Sequence, residues 1–283
     1  MRIPEVYAPG TLDEALALKA EHGSSLKPLA GGTDMIPGIR SGACTAEKLL
    51  DLSRIDDLRG IRENGTGIDI GALATHARVA ESETVRTHLP LLAEACGSVG
   101  SVQIRNLGTV GGNLSNASPA ADSIPPLIVL GAACKIRSAS DGREVLMSAY
   151  CTCPGGTCLS PEELLTEIGV PKTPPGYRGF YLKLGQRRAM AIAKVSVALL
   201  AKQEDGRLSD VRIALGAVAP TVCGAPETVA FLENHSLNDR TIERAAKIVA
   251  SEARPIADVR SSVEYRREMV GVLLAKGLRD FLT

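Results

Sequence analysis

Two glycine pairs constrain this chain more than any other feature. They are Ala30-Gly31-Gly32-Thr33-Asp34 and Thr109-Val110-Gly111-Gly112-Asn113, and each sits between an extended stretch and a helix-compatible one. Consecutive backbone N–H groups in a tight loop form a concave donor set for an anion, and glycine lets another group approach that backbone closely. A helix opening straight after the loop adds its positive end. Thr33 and Thr109 bring hydroxyls, and Asn113 brings an amide. Together the loops point to a diphosphate. Either loop alone is equally consistent with an ordinary tight turn, for which glycine is the default residue. Neither loop is a G-x-G-x-x-G dinucleotide fingerprint or a P-loop, which disfavours a simple nicotinamide dehydrogenase and a nucleotide triphosphatase.

The patterning around the loops is mixed. Thr11-Leu12-Asp13-Glu14 reads as a capping box, with Gly23 closing the helix it opens. A short strand is expected at Leu26 to Leu29, and a helix from Asp34 toward Arg40. A strand is expected at Gly67 to Ile70, and one helix over Thr84 to Val99. A further helix should start at Pro119 and reach Gly131, kinked or interrupted by Pro125 and Pro126. Ala132 to Arg137 reads as a strand. Pro171-Lys172-Thr173-Pro174-Pro175-Gly176 is the clearest boundary. Strands are expected beyond it at Gly179 to Leu184, Val195 to Lys202 and Val211 to Val218. The apolar run near Val195 is also compatible with a helix. Helices over Thr241 to Ala253 and Ser261 to Leu282 complete an α+β pattern. The expected units are residues 1–55, 56–172 and 177–283.

Composition narrows the partners. The 283 residues suffice for two or three compact domains. Lys+Arg and Asp+Glu are both 32, so no basic excess points to nucleic acid. Aromatic residues are 3%, too few for extensive base stacking. No apolar run reaches the length of a membrane span. The first residues show no signal-peptide pattern, so a cytoplasmic location is expected, and with it thiols or metal ligands rather than disulfides for the seven cysteines. The four histidines, 22, 76, 88 and 235, are not at metal-ligand spacing. Cys134, Cys151, Cys153 and Cys158 lie within 25 positions and could hold a metal or iron–sulfur cluster; free thiols are the favoured reading. Cys44, Cys96 and Cys223 read as packing residues.

Read in order, Ala30-Gly31-Gly32-Thr33-Asp34, Gly71-Ala72, Ile104-Arg105-Asn106, Gly108-Thr109-Val110-Gly111-Gly112-Asn113 and Ala117-Ser118-Pro119-Ala120-Ala121-Asp122 resemble the FAD-binding medium subunit of the xanthine dehydrogenase family, which includes carbon monoxide dehydrogenase. The match spans the whole chain, and the T-x-G-G-N-x-x-x-A-S-P-x-x-D run is its most specific part. The resemblance implies a vanillyl-alcohol-oxidase-type (PCMH-type) FAD fold, with two subdomains clasping FAD and a C-terminal α+β domain like that of carbon monoxide dehydrogenase flavoprotein. It implies that Ala30 to Asp34 and Thr109 to Asn113, including Gly111 and Gly112, hold the pyrophosphate. Asp122 would contact ribose hydroxyls. Ala72 and Thr75 would line the ring and ribityl path, and Leu165 would pack near the adenine or the ring. Lys183 would lie near the isoalloxazine, its charge stabilising the reduced ring. Leu29, Ile104 and Ser115 complete the implied cofactor-binding set. Gln186-Arg187-Arg188 and Ile192 to Val195 match the C-terminal domain of that family.

Two departures from the family carry consequences. Thr33 stands where some relatives in the wider superfamily attach flavin through a histidine, so non-covalent FAD is implied. Val99 stands roughly where xanthine dehydrogenases place a phenylalanine over the ring, so an aliphatic cover is expected. The implied partners are a small 2Fe-2S subunit and a large molybdopterin subunit, with NAD or another carrier as acceptor. The alternative is a self-contained flavin oxidoreductase acting directly on a small organic substrate. Residue by residue, Asp34 and Asp122 could instead be helix N-caps and Lys183 a surface lysine, while Arg105 could contact FAD or a neighbouring subunit, or pair with a carboxylate. His76 draws interest only by following Thr75.

Overall fold

Four sheets organise the chain in the computed structural model, which describes residues 4–187 and 190–282. The first is small and parallel. Glu5–Tyr7 and Leu26–Leu29 flank Lys48–Asp51, and the helix Leu12–His22 makes the crossover between the outer two. That helix starts as its sequence predicts. Thr11 Oγ1 accepts from Glu14 N–H at 3.2 Å, and Glu14 Oε2 accepts from Thr11 N–H at 3.3 Å. It ends at Gly23, whose φ of +53° suits a residue without a Cβ.

The second sheet is antiparallel, in the order Ile61–Glu63, Gly67–Gly71, Leu164–Pro171, Ala133–Arg137, Gly142–Leu146. Short helices cover it. The single helix expected over Thr84 to Val99 is two, Glu83–His88 and Pro90–Gly97, broken at Leu89. The cause is local: Pro90 disfavours the α region for the residue before it, and Leu89 adopts φ −134°, ψ 52°. The helix expected from Pro119 to Gly131 is shorter, Ile124–Val129. Pro125 and Pro126 do not interrupt it; they fill its first turn, where a missing N–H costs nothing.

The third sheet is an antiparallel meander of Tyr177–Leu184, Val195–Glu204, Arg207–Gly216 and Cys223–Gly224. Its second strand resolves the ambiguity of the apolar run. Val195, Val197, Leu199 and Ala201 pack with Val270, Leu274 and Leu278 of the last helix, Val263–Arg279. Ala198 and Leu200 point the other way, into the core built on the second sheet with Leu92 and Leu127. A strand covered on both faces loses the polar alternation that marks a half-buried one. Tyr181, on the neighbouring strand, joins that same central core and is 2% exposed. A fourth, two-stranded ribbon pairs Cys151–Cys153 with Gly156–Thr157. No helix among the described residues is long and apolar enough to cross a membrane.

Candidate functional site

A cleft of about 640 Å³ runs between the first two sheets and reaches the edge of the third. That volume lies within the range of pockets that enclose small organic ligands. Leu29, Ala30, Gly31, Gly32, Thr33, Asp34, Ala72, Ile104, Thr109, Gly111, Gly112, Asn113, Ser115, Asp122 and Leu165 all line it. Thr75 and Lys183 do not.

The first glycine loop connects the strand Leu26–Leu29 to the helix Met35–Ser41. A Cβ on Gly31 would overlap the carbonyl of Leu107, and Gly32 has φ +69°. Both glycines are therefore required by the protein's own backbone, before any ligand enters. Among the described residues, the N–H groups of Gly31, Gly32, Thr33 and Asp34 donate to no protein acceptor. Four adjacent donors without partners at a cleft wall are what an anion needs. Asp34 holds the N-cap position of the helix, but its side chain makes no capping bond, so the capping role does not hold.

The second loop works differently from the sequence expectation. Val110 N–H donates to Ala74 O and Gly111 N–H to Ala72 O, both at 2.9 Å. Gly112 N–H donates to Thr109 Oγ1 and Asn113 N–H to Thr109 O, both at 3.0 Å. These amides are satisfied internally and form no cradle. Side chains remain as donors. The Thr109 hydroxyl keeps its proton to give, and Asn113 turns its Oδ1 to Ser123 Oγ at 2.7 Å, leaving its NH2 free. Gly111 is fixed by packing, since a Cβ there would come within 2.6 Å of Ala72. The helices after the two loops have seven and six residues, so discrete donors rather than a long helix dipole define the site.

Asp122 closes the opposite wall. It is 6% exposed. Its Oδ1 accepts from the Tyr181 hydroxyl at 2.7 Å and its Oδ2 from Lys183 Nζ at 2.6 Å. Lys183 Nζ also donates to Ser98 O at 3.1 Å. Burial pushes the Asp122 carboxyl up, while Lys183 and Tyr181 pull it back. Lys183 is not the surface lysine that its residue type alone allows: it lies behind Asp122, and the carboxylate offsets its charge. Asp122 lines the cleft with each of its oxygens accepting one of these bonds.

Thr75 is an N-cap, its Oγ1 accepting from Arg78 N–H at 3.2 Å; the next residue, His76, forms the wall instead. His76 is 2% exposed, and its Nδ1 has no partner. Burial, aided by the charge of Arg105, holds its pKa down to about 4. Arg105 itself donates to Val99 O at 3.0 Å, in place of a carboxylate pair. Val99, Gly100, Ile104, Met190 and Ile192 make one end of the cleft aliphatic. Met190 had no sequence signal and Ile192 only its match to the family's C-terminal domain, because both arrive from a loop of the third sheet. His76 had one, its adjacency to Thr75.

The cysteines are dispersed in environment. Cys134 is buried with its Sγ 3.8 Å from Met147 Sδ, and burial raises its pKa to about 12. Burial likewise raises Cys151 to about 11. Cys153 is exposed. No group of three or more potential ligands among the described residues could hold a metal. Cys44 lines the cleft and packs there with its Sγ 3.7 Å from Met35 Sδ. Arg188 lies outside the described residues.

Comparison with known proteins agrees with this geometry. Residues 2–173 match the FAD binding domain in molybdopterin dehydrogenase, and residues 180–281 match the CO dehydrogenase flavoprotein C-terminal domain. The chain is 34% identical to the glyceraldehyde dehydrogenase medium chain of Sulfolobus acidocaldarius, over 95% of each. It is 32% identical to the carbon monoxide dehydrogenase medium chain of Afipia carboxidovorans, over 97% of this chain and 95% of that one. Among solved structures, carbon monoxide dehydrogenase from Hydrogenophaga pseudoflava superposes with a TM-score of 0.94 at 32% identity, covering 98% of both chains. The chain thus belongs to the FAD-binding medium-subunit family of the xanthine dehydrogenase and carbon monoxide dehydrogenase type, as an oxidoreductase subunit.

Proposed function

We propose that this chain binds one FAD non-covalently in the cleft and serves as the flavin relay of a molybdenum-containing hydroxylase or dehydrogenase. In that assembly a small 2Fe-2S subunit supplies electrons drawn from a large molybdopterin subunit, and an acceptor, NAD or another carrier, removes them. FAD when bound supplies the capacity to take electrons singly and release them singly or in pairs. The residues of the chain hold it. The observation that carries the reading is the row of unpartnered N–H groups at Gly31, Gly32, Thr33 and Asp34, residues that line the cleft. Thr109 and Asn113 add side-chain donors, and Leu165 and Ala72 add apolar wall. Ser115 Oγ, shared with the Tyr150 hydroxyl at 2.9 Å, marks the far side. The aliphatic end around Val99 and Ile104 suits the ring.

A self-contained oxidoreductase would need a general base at the ring end. Asp122 is the carboxylate there, and both its oxygens are engaged, so nothing in the cleft favours that reading. The test is simple. The purified chain, incubated with FAD and desalted, should retain about one FAD per polypeptide, all of it released on acid precipitation. A chain that stays colourless, or flavin that stays in the precipitate, would refute the reading.

A further inference from the structure

His76 is the one buried polar group in the cleft wall that the reading above leaves without work. It opens the helix His76–Glu81, and its backbone N–H is occupied by Gly108 O at 3.0 Å. The ring is different. Nδ1 is sealed from solvent with no partner, and the imidazole as a whole is almost fully buried yet lines the cleft. An unpaired buried polar group costs free energy, so such groups usually have a reason to be there.

The position of the ring supplies that reason. A Cβ built on Gly108 would meet Thr33 Oγ1 at 3.4 Å and His76 Cδ2 at 3.5 Å. The imidazole edge and the Thr33 hydroxyl therefore flank one face of Gly108. Gly31 abuts the same segment, at the Leu107 carbonyl and Gly108 Cα. Of the two ring nitrogens only Nδ1 is sealed without a partner, which leaves Nε2 as the one open to the cleft. A proton on Nδ1 would be a buried donor without an acceptor. A proton on Nε2 is on the unsealed side of a ring that lines the cleft together with Thr33, whose own amide is unpartnered.

We propose that His76 donates Nε2–H to a phosphate oxygen of the bound FAD pyrophosphate, completing the donor set of the first glycine loop. The inference rests on the FAD reading, which it deepens by assigning a new binding residue. The ligand class is the diphosphate, and neither sugar nor ring contacts are involved. Arg105, whose charge reaches this imidazole, adds positive potential at His76 without needing direct contact.

Two variants separate the possibilities. His76→Leu fills the space without a donor, and His76→Gln keeps an N–H. Binding is measured with FAD, with ADP and with riboflavin, the last lacking phosphate. A hydrogen bond to a charged acceptor is worth about tenfold to a hundredfold in affinity. His76→Leu should lose that factor for FAD and for ADP and none for riboflavin, and His76→Gln should recover most of it. An equal loss for FAD and riboflavin, or no loss for FAD, overturns the proposal. If the wild-type chain binds no FAD, the functional reading fails first, and the two failures are told apart. A second measurement stands apart from the variants. In the wild-type protein with 15N-labelled histidine, ADP should shift the His76 Nε2–H signal and slow its solvent exchange, whereas adenosine should not. An unmoved signal with bound ADP counts equally against the proposal.

Discussion

His76 also gives the fold an acid sensitivity whose size follows from its burial. Its pKa in the folded chain is about 4 against an ordinary 6.5. The unfolded chain therefore takes up the proton first as pH falls, and proton uptake favours unfolding. The stability tied to the neutral ring is complete above 6.5 and drains away as pH drops toward 4. Between about pH 7.5 and about pH 5 the linkage relation gives a loss of about 2 kcal/mol. Because the residue is 2% exposed, solvent screening takes little from that figure. Urea unfolding of the FAD-free chain at both pH values, compared with His76→Gln, reads it directly. The wild type should lose about 2 kcal/mol more than the variant over this interval. Parallel losses in the two proteins would show that the imidazole titrates normally. The burial argument would then be wrong.

Other perturbations test other parts of the site. Lys183→Met leaves Asp122 buried without its cation and should cost about 3–5 kcal/mol in urea unfolding, with Asp122→Asn in the same chain restoring part of the loss. No restoration would mean that the pair is not coupled as its 2.6 Å contact implies. Gly31→Ala would overlap the Leu107 carbonyl and should abolish FAD retention after desalting. Gly42→Ala, also in the first unit but with open space around it, should cost about 1 kcal/mol for its positive φ and leave FAD retention intact. Gly277→Ala would strike the Phe180 ring between the last helix and the third sheet, and should lower stability by about 1–3 kcal/mol. An unchanged urea midpoint would contradict that close packing.

What the sequence made legible was local. The capping box at Thr11 and Glu14 needs only four residues, and the strand Leu26–Leu29 needs only its two leucines and the glycines after it; both lie where the sequence places them. The misreadings have two causes, a neighbour distant in sequence or a rule overridden by one residue. Pro90 breaks a helix that periodicity alone would continue. Val195 to Ala201 looks ambiguous because two different cores claim its two faces. For Lys183, residue type alone allows a surface position, and the partner that buries it, Asp122, is 61 positions earlier.

The two glycine pairs show the same limit at the heart of the site. In sequence they are chemical equals, each a pair of glycines with a hydroxyl. In the fold, Ala72 and Ala74 take the amides of Val110 and Gly111, and Thr109 takes those of Gly112 and Asn113. That loop is thereby pinned to the second sheet. Pinned, it positions Leu107 and Gly108 as the surface against which Gly31 packs. The first loop, so supported, keeps its own amides unspent. One glycine pair therefore spends its amides on the scaffold, and the other keeps them for the anion that the proposed function requires. The division follows from donor accounting: a loop cannot give the same N–H both to its scaffold and to a ligand at full strength.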